Sequence, residues 1–224
     1  MSSQQGVSAG AIFAGVGDVA MRHGRIWGLA TLFMAVAYTL LDLVLPGEDL
    51  GALASFVGGI ANFFVTYHVT ETLLRSEGLM STSQRNYASV LGVSILSTLG
   101  AGLGFLVLIV PGLYLFARWS IATPLVIAEG RNASDAMAES WRRTASSAWA
   151  LVAVFAVYTL GVVAMIGLAI TGIISVENTG AETAPALFVG NLVSTSLGMV
   201  AVLLSVAIYR ALADDTSRYE DVFG

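Results

Sequence analysis

His68, Glu71 and Arg75 stand at i, i+3 and i+7 in the stretch ANFFVTYHVTETLLRSEG, so a helix carries them on one face. Histidine titrates near neutral pH and a carboxylate beside it can pass a proton on, which makes a proton-coupled polar relay one reading of the three. A Glu71–Arg75 pair at a membrane boundary, with a histidine nearby, explains them equally well. The set is poor in metal ligands: two clustered residues, no HExxH and no second His/Glu pair, so neither a metal nor a cofactor is expected.

A second pair of charges sits where charges are costly. Arg118 lies in FLVLIVPGLYLFARWSIATPLVIAEG, apolar almost throughout, and Asp42 lies near the end of an earlier apolar run. Arg118 is five residues past Leu113, about 7.5 Å along a helix axis, and its side chain leans toward the helix N-terminus. The expected arrangement is an intramembrane ion pair between Asp42 and Arg118. A lipid phosphate on Arg118, or simple snorkelling of its long side chain, are the alternatives.

Other chemistry is thin. Gly15-Val16-Gly17-Asp18 matches the GxGD string of intramembrane aspartyl proteases, but it falls in a surface segment and has no Tyr-Asp partner. A GxSxG nucleophile elbow is absent. The chain has no cysteine, hence no thiol nucleophile, thiolate metal site or disulfide framework. No basic cluster exceeds Arg142-Arg143, so nucleic acid is not an expected partner. The chain reads as a non-enzyme.

What must position these residues is a set of long apolar helices. With 224 residues, 56% of them hydrophobic and 11% charged, and a mean hydropathy of +0.81, the chain has more apolar surface than one soluble core can hide. The expectation is an all-α polytopic membrane protein with one integral domain over 1–224. Six transmembrane helices are expected near 26–45, 50–74, 86–110, 113–130, 147–173 and 187–212, each close to the ~20 residues that cross the hydrocarbon. The third and fourth come from one long run that Pro111-Gly112 divides as a tight hairpin. Gly100 and Gly104 form GxxxG in the third and predict close helix packing. An A-x-A pattern at 35–37 follows Arg22 and Arg25, but the apolar run continues to Leu45 and favours a span over a cleaved leader.

All cationic residues are arginine, which suggests a GC-rich, bacterial coding background. Arg22 and Arg25, Arg75 and Arg85, Arg131, Arg142 and Arg143, and Arg218 all fall in segments on one side of the six spans. The opposite loops carry none, which predicts cytoplasmic termini in a bacterial inner membrane. Trp27, Tyr87, Trp149 and Tyr209 then mark the inner boundary, and Tyr114 and Trp119 the outer one.

Two amphipathic segments are expected to lie on the inner surface: an N-terminal one within 1–25, and one at 132–145 capped by Asn132. In the second, Met137, Trp141 and Ala148 share a face opposite Glu139 and Arg143. Trp141 is therefore placed to enter the headgroups, with Arg142 and Arg143 meeting lipid phosphates. Residues 213–224 read as a short acidic tail. AVAYTL at 35–40 resembles AVYTL at 156–160, and Phe56-Val57-Gly58 resembles Phe188-Val189-Gly190, which suggests a parallel internal repeat.

The order of these features carries a resemblance. IVPGLYLFARWSIATPLVIAEG at 109–130 followed by ASDAMAESWRRT at 133–144 resembles the membrane domain of glycerophosphoryl diester phosphodiesterases and the related YciC-like bacterial integral membrane proteins. VSAGAIFAGVGDVAMRHGRIWGL at 7–29 is similar to the way those proteins begin. The resemblance implies an architecture and a lipid-associated setting, without the soluble phosphodiesterase barrel and without catalysis. The expected role is a module for lipid or envelope handling, with membrane lipids and a possible membrane protein as partners. The alternative is a small-molecule or lipid transporter using polar residues of spans one, two and four.

Overall fold

The computed structural model describes residues 6–45, 48–179 and 184–223. Among them the regular structure is helical: α1 (Ala9–Arg22), α2 (Gly24–Val44), α3 (Glu48–Ser76), α4 (Tyr87–Val107), α5 (Ile109–Arg118), α6 (Ala122–Glu129), α7 (Ala133–Arg143), α8 (Ala148–Thr179) and α9 (Ala184–Phe223). Six stretches are long and apolar enough to cross a membrane: Gly24–Val44, Leu50–Ser76, Tyr87–Leu106, Ile109–Glu129, Ala148–Leu168 and Ala184–Ala213. Their outer faces stay apolar. Leu29, Phe33, Phe56, Leu99, Leu106, Leu160 and Val163 are all exposed, a pattern that water penalises and hydrocarbon rewards.

The helices end where local chemistry ends them. The Asn86 side chain accepts from the Ser89 N–H at 3.0 Å to start α4, and Asn132 accepts from the Asp135 N–H at 2.9 Å to start α7. Gly130 closes α6 in the left-handed region at φ 70°, a conformation that glycine adopts without strain.

The hairpin turns earlier than the sequence suggests. Leu108, extended at φ −162° and ψ 150°, separates α4 from α5, and Pro111 lies in the first turn of α5. A proline there loses no hydrogen bond, because the first N–H groups of a helix have no intrahelical acceptor. The stretch after it is also not one rod. Trp119 to Ile121 interrupt it, and α6 is buried along nearly its whole length, from Ala122 to Ala128 except Thr123. At the C-terminus a helix replaces the expected tail, since α9 continues to Phe223. At the other end α1 takes up most of the amphipathic segment expected within 1–25, of which residues 1–5 lie outside the described ones.

The expected single domain groups into two compact units: residues 1–22, 70–158 and 203–224 in one, and 23–69 and 159–202 in the other. In the first, α1 buries Ile12 and Val19, and α4 packs closely on α5. A Cβ added at Gly104 would lie 2.7 Å from the Gly112 Cα, and one at Gly100 would lie 2.6 Å from the Trp119 ring. The two glycines of the GxxxG string thus face the returning helix, and Gly112 answers Gly104 from the other side. In the second unit, the Tyr38 hydroxyl donates to the Gly58 carbonyl at 3.1 Å, with its ring where a Gly58 Cβ would be. The matching glycine of the apparent repeat, Gly190, has nothing within 4 Å of such a Cβ, so that contact is not repeated.

Candidate functional site

Among the described residues the first unit gathers seven of the chain's ten arginines onto five carboxylates, in three clusters built from segments far apart in sequence. Arg22 and Arg210 hold Asp18 and Glu77: Arg22 Nε donates to Asp18 at 2.9 Å, and Arg210 Nη1 lies 2.9 Å from Asp18 and 3.1 Å from Glu77. Two positive and two negative charges cancel there, with the Glu77 side chain only 3% exposed. The Arg22 hydrogen bond, then that of Arg210, holds the Asp18 carboxyl below its ordinary range.

In the second cluster Arg75 and Arg85 meet the buried Glu71 at 2.9 and 3.2 Å. The His68 ring turns to its own helix, with Nδ1 2.8 Å from the Phe64 carbonyl oxygen. The third cluster is the densest. Arg131 and Arg143 hold Glu129 at 2.7 and 2.8 Å, Arg142 and Arg143 hold Glu139 at 2.6 and 2.5 Å, and the Tyr209 hydroxyl donates to Glu129 at 2.9 Å. The hydrogen bond from Arg142, ahead of that from Arg143, keeps the Glu139 carboxyl at about 2.

This cluster fixes which side of α7 faces the protein. Ala136, Glu139, Ser140 and Thr144 are buried, while Trp141 and Arg142 are exposed. Trp141, expected to enter the headgroups, is thus left on the outer side, and the polar face opposite it packs inward. The reason is that Glu139 answers arginines while the Ser140 and Thr144 hydroxyls donate to the Arg118 carbonyl at 2.8 and 3.3 Å. Arg143, expected to meet lipid phosphate, is engaged by both glutamates. Arg142 bonds to Glu139 yet leaves 76% of its side chain exposed.

Arg118 and Asp42, read from the sequence as a pair, belong to different units, and each has a partner within its own. Asp42 accepts from the Asn191 amide at 2.8 Å. Arg118, 4% exposed, donates to the Trp141 carbonyl, with its guanidinium 4.5 Å from the Trp141 ring centroid and 5.9 Å from that of Tyr114. Its Nε and Nη1 make no hydrogen bond among the described residues. Trp141 therefore lies over a cation as well as facing outward, which sequence periodicity does not show.

The rings around Arg118 also correct the boundary assignment. Tyr114 lies 5.8 Å from Trp141 and 6.0 Å from Trp149, and Trp119 lies 6.3 Å from Trp141, centroid to centroid. Tyr114 and Trp149, assigned by sequence to opposite sides, are neighbours. α5 is only ten residues long, about 15 Å at 1.5 Å per residue, half the roughly 30 Å of a hydrocarbon core.

Sequence reasoning missed Glu77, Glu129, Glu139 and Arg210 as anchors. The available signal was that each is a charge at the end of an apolar run or next to an arginine-bearing loop. Among the described residues no group of three His, Cys, Asp or Glu is placed to hold a metal ion.

These features define an all-helical, multi-pass membrane protein whose first unit ties its charges off in arginine–carboxylate clusters. The family model for the membrane domain of glycerophosphoryl diester phosphodiesterase matches residues 90–213, more than half of the 224, and the chain belongs to that family. The match takes in most of α4, α5 to α8, most of α9, Arg118 and the third cluster, and stops short of the N-terminal segment. No curated protein and no solved structure gives a significant match.

Proposed function

We propose that the protein is a non-enzymatic membrane module for lipid or envelope handling, which meets anionic lipid headgroups at its arginine-bearing helix ends. The observation that carries this reading is the exposed rim above the clusters. Arg75, Arg85 and Arg142 expose 61%, 52% and 76% of their side chains, while Glu71 and Glu139 beneath them are buried. The second and third clusters each hold one more arginine than carboxylate, so a phosphate approaching the rim meets net positive charge. Family membership supports a membrane module, and the arginine bias of the loops supports a bacterial inner membrane with this rim on the cytoplasmic side.

Arg142→Gln tests it without dismantling the cluster, because Glu139 keeps Arg143. Native mass spectrometry of the purified protein should show less retained anionic phospholipid and unchanged zwitterionic lipid. Equal retention of both lipid classes before and after the change would remove the basis for headgroup recognition here.

A further inference from the structure

The second unit contains a half-open cleft of about 300 Å³ lined by Tyr38, Asn62, Thr66, Asn191, Ser194 and Thr195, together with Gly198 and Met199. It lies well inside the spans. Asn62 is twelve residues beyond Leu50, about 18 Å along α3, and Ser194 is ten beyond Ala184, about 15 Å along α9. An open amide and hydroxyl at that depth are costly to leave against hydrocarbon, which favours an occupant that hydrogen-bonds.

Its hydrogen-bonding capacity is uneven. Tyr38 donates to Gly58 at 3.1 Å, Thr66 to the Asn62 carbonyl at 2.6 Å and Thr195 to the Asn191 carbonyl at 2.7 Å. Asn191 donates its amide to Thr39 at 3.2 Å and Asp42 at 2.8 Å. These protons are engaged within the protein, while the hydroxyl oxygens and the Asn191 side-chain carbonyl retain acceptor capacity. The Asn62 amide and the Ser194 hydroxyl make no side-chain hydrogen bond among the described residues and can both donate and accept. No arginine, aspartate or glutamate is among the lining residues, and the one carboxylate behind the wall, Asp42, already accepts from Asn191, so neutral hydrogen-bonding groups fit this lining best. Hydroxyl groups suit this set best, since each donates to one wall oxygen and accepts from Asn62 or Ser194. At roughly 30 Å³ per water, the volume equals about ten water molecules, room for a short polyol.

We propose that this cleft is a binding site for a small uncharged polyol, held by Asn62 and Ser194 as donors and by the oxygens of Tyr38, Thr66, Asn191 and Thr195 as acceptors. Gly198, one turn beyond Ser194, keeps the wall open: a Cβ there meets nothing within 4 Å. The site is independent of the lipid reading above, and neither depends on the other.

Because the chain has no cysteine, Ser194→Cys gives a single reporter thiol. In proteoliposomes its reaction with a small water-soluble methanethiosulfonate should be slowed several-fold by erythritol. Tetramethylammonium or inorganic phosphate at equal osmolality should leave it unchanged. Asn62→Leu should remove the erythritol protection while the thiol stays reactive. Gly198→Leu should block the reaction outright without loss of folded yield, because its side chain enters open space. Reaction rates equal with and without erythritol, stronger protection by the cation or the anion, or a thiol inert to the reagent before any blocking substitution would each overturn the proposal. The first measurement needs no second substitution, so a poorly folding variant does not leave the question open.

Discussion

The two units handle polarity inside an apolar chain in opposite ways. The unit of residues 1–22, 70–158 and 203–224 uses full charges and pairs them, tying Asp18, Glu71, Glu77, Glu129 and Glu139 to arginines within hydrogen-bond reach. In the unit of 23–69 and 159–202, the hydrogen bonds around the cleft run through amides and hydroxyls, with Asp42 reached by Asn191. Buried charge is costly and tolerates few arrangements, because removing one partner strands the other. Neutral groups cost less to leave half-paired, which allows an open cleft.

The largest effect should come from breaking a charge cluster. Glu139→Gln takes the shared carboxylate from Arg142 and Arg143, and although Arg143 keeps Glu129, losing these charge-assisted hydrogen bonds to a buried carboxylate should cost about 2 kcal/mol. Asn191→Leu in the other unit removes neutral hydrogen bonds and should cost about 1 kcal/mol. Denaturant-dependent exposure of a single introduced cysteine would rank the two. If Asn191→Leu proved the more damaging, the contrast between the units would collapse.

Packing gives the next contrast. Gly104→Ala drives a Cβ into the Gly112 backbone at 2.7 Å, where no side chain can move aside, and overpacking of this kind costs about 1–3 kcal/mol. Gly198→Ala meets open space within a helix and should be neutral or stabilising by roughly 0.5–1 kcal/mol. Thermal midpoints should fall for the first variant and hold or rise for the second.

Acid should separate the units more gently. Glu139 is held at about 2 in the folded protein, below the ordinary 4.5. Its contribution is therefore complete above pH 4.5 and is lost as the pH falls from there to about 2. Asp18, lowered in the same sense, adds to that loss. Amide hydrogen exchange should quicken first in peptides from α1 and α7, before those from α2. Simultaneous loosening would mean that the ion clusters do not set local stability.

The helices were legible in the sequence because hydropathy and charge act locally. The candidate spans fall within a few residues of the expected ones, and Asn132 caps α7 as its sequence implies. Partner choice was less legible. Arg118 and Asp42 read as complementary because each is an isolated charge in an apolar run. In the structure an aromatic ring and a carbonyl answer one and an amide answers the other, and no periodicity encodes either. What the polar face of α7 meets was less legible for a related reason. Amphipathicity reports which face is polar, and here the polar face is the inward one because carboxylates and arginines wait beneath it.

The smallest expected effect is a silence at the hairpin tip. Val110 is 59% exposed, so Val110→Cys should leave stability unchanged and report only on depth. Full crossings by α4 and α5 would bring this tip to the surface opposite the arginines, open to an impermeant maleimide from that side. The structure gives α5 ten residues, about 15 Å against a hydrocarbon core of roughly 30 Å, and anchors its other end through the Arg118 carbonyl to α7. Exposed Leu106, Leu108, Ile109 and Val110 then sit in hydrocarbon, as their side chains require. The introduced thiol should resist the reagent from both sides of a sealed vesicle and react only after detergent is added. Fast labelling from the arginine-free side would show a hairpin that crosses fully, and would put Tyr114 and Arg118 back near the outer boundary.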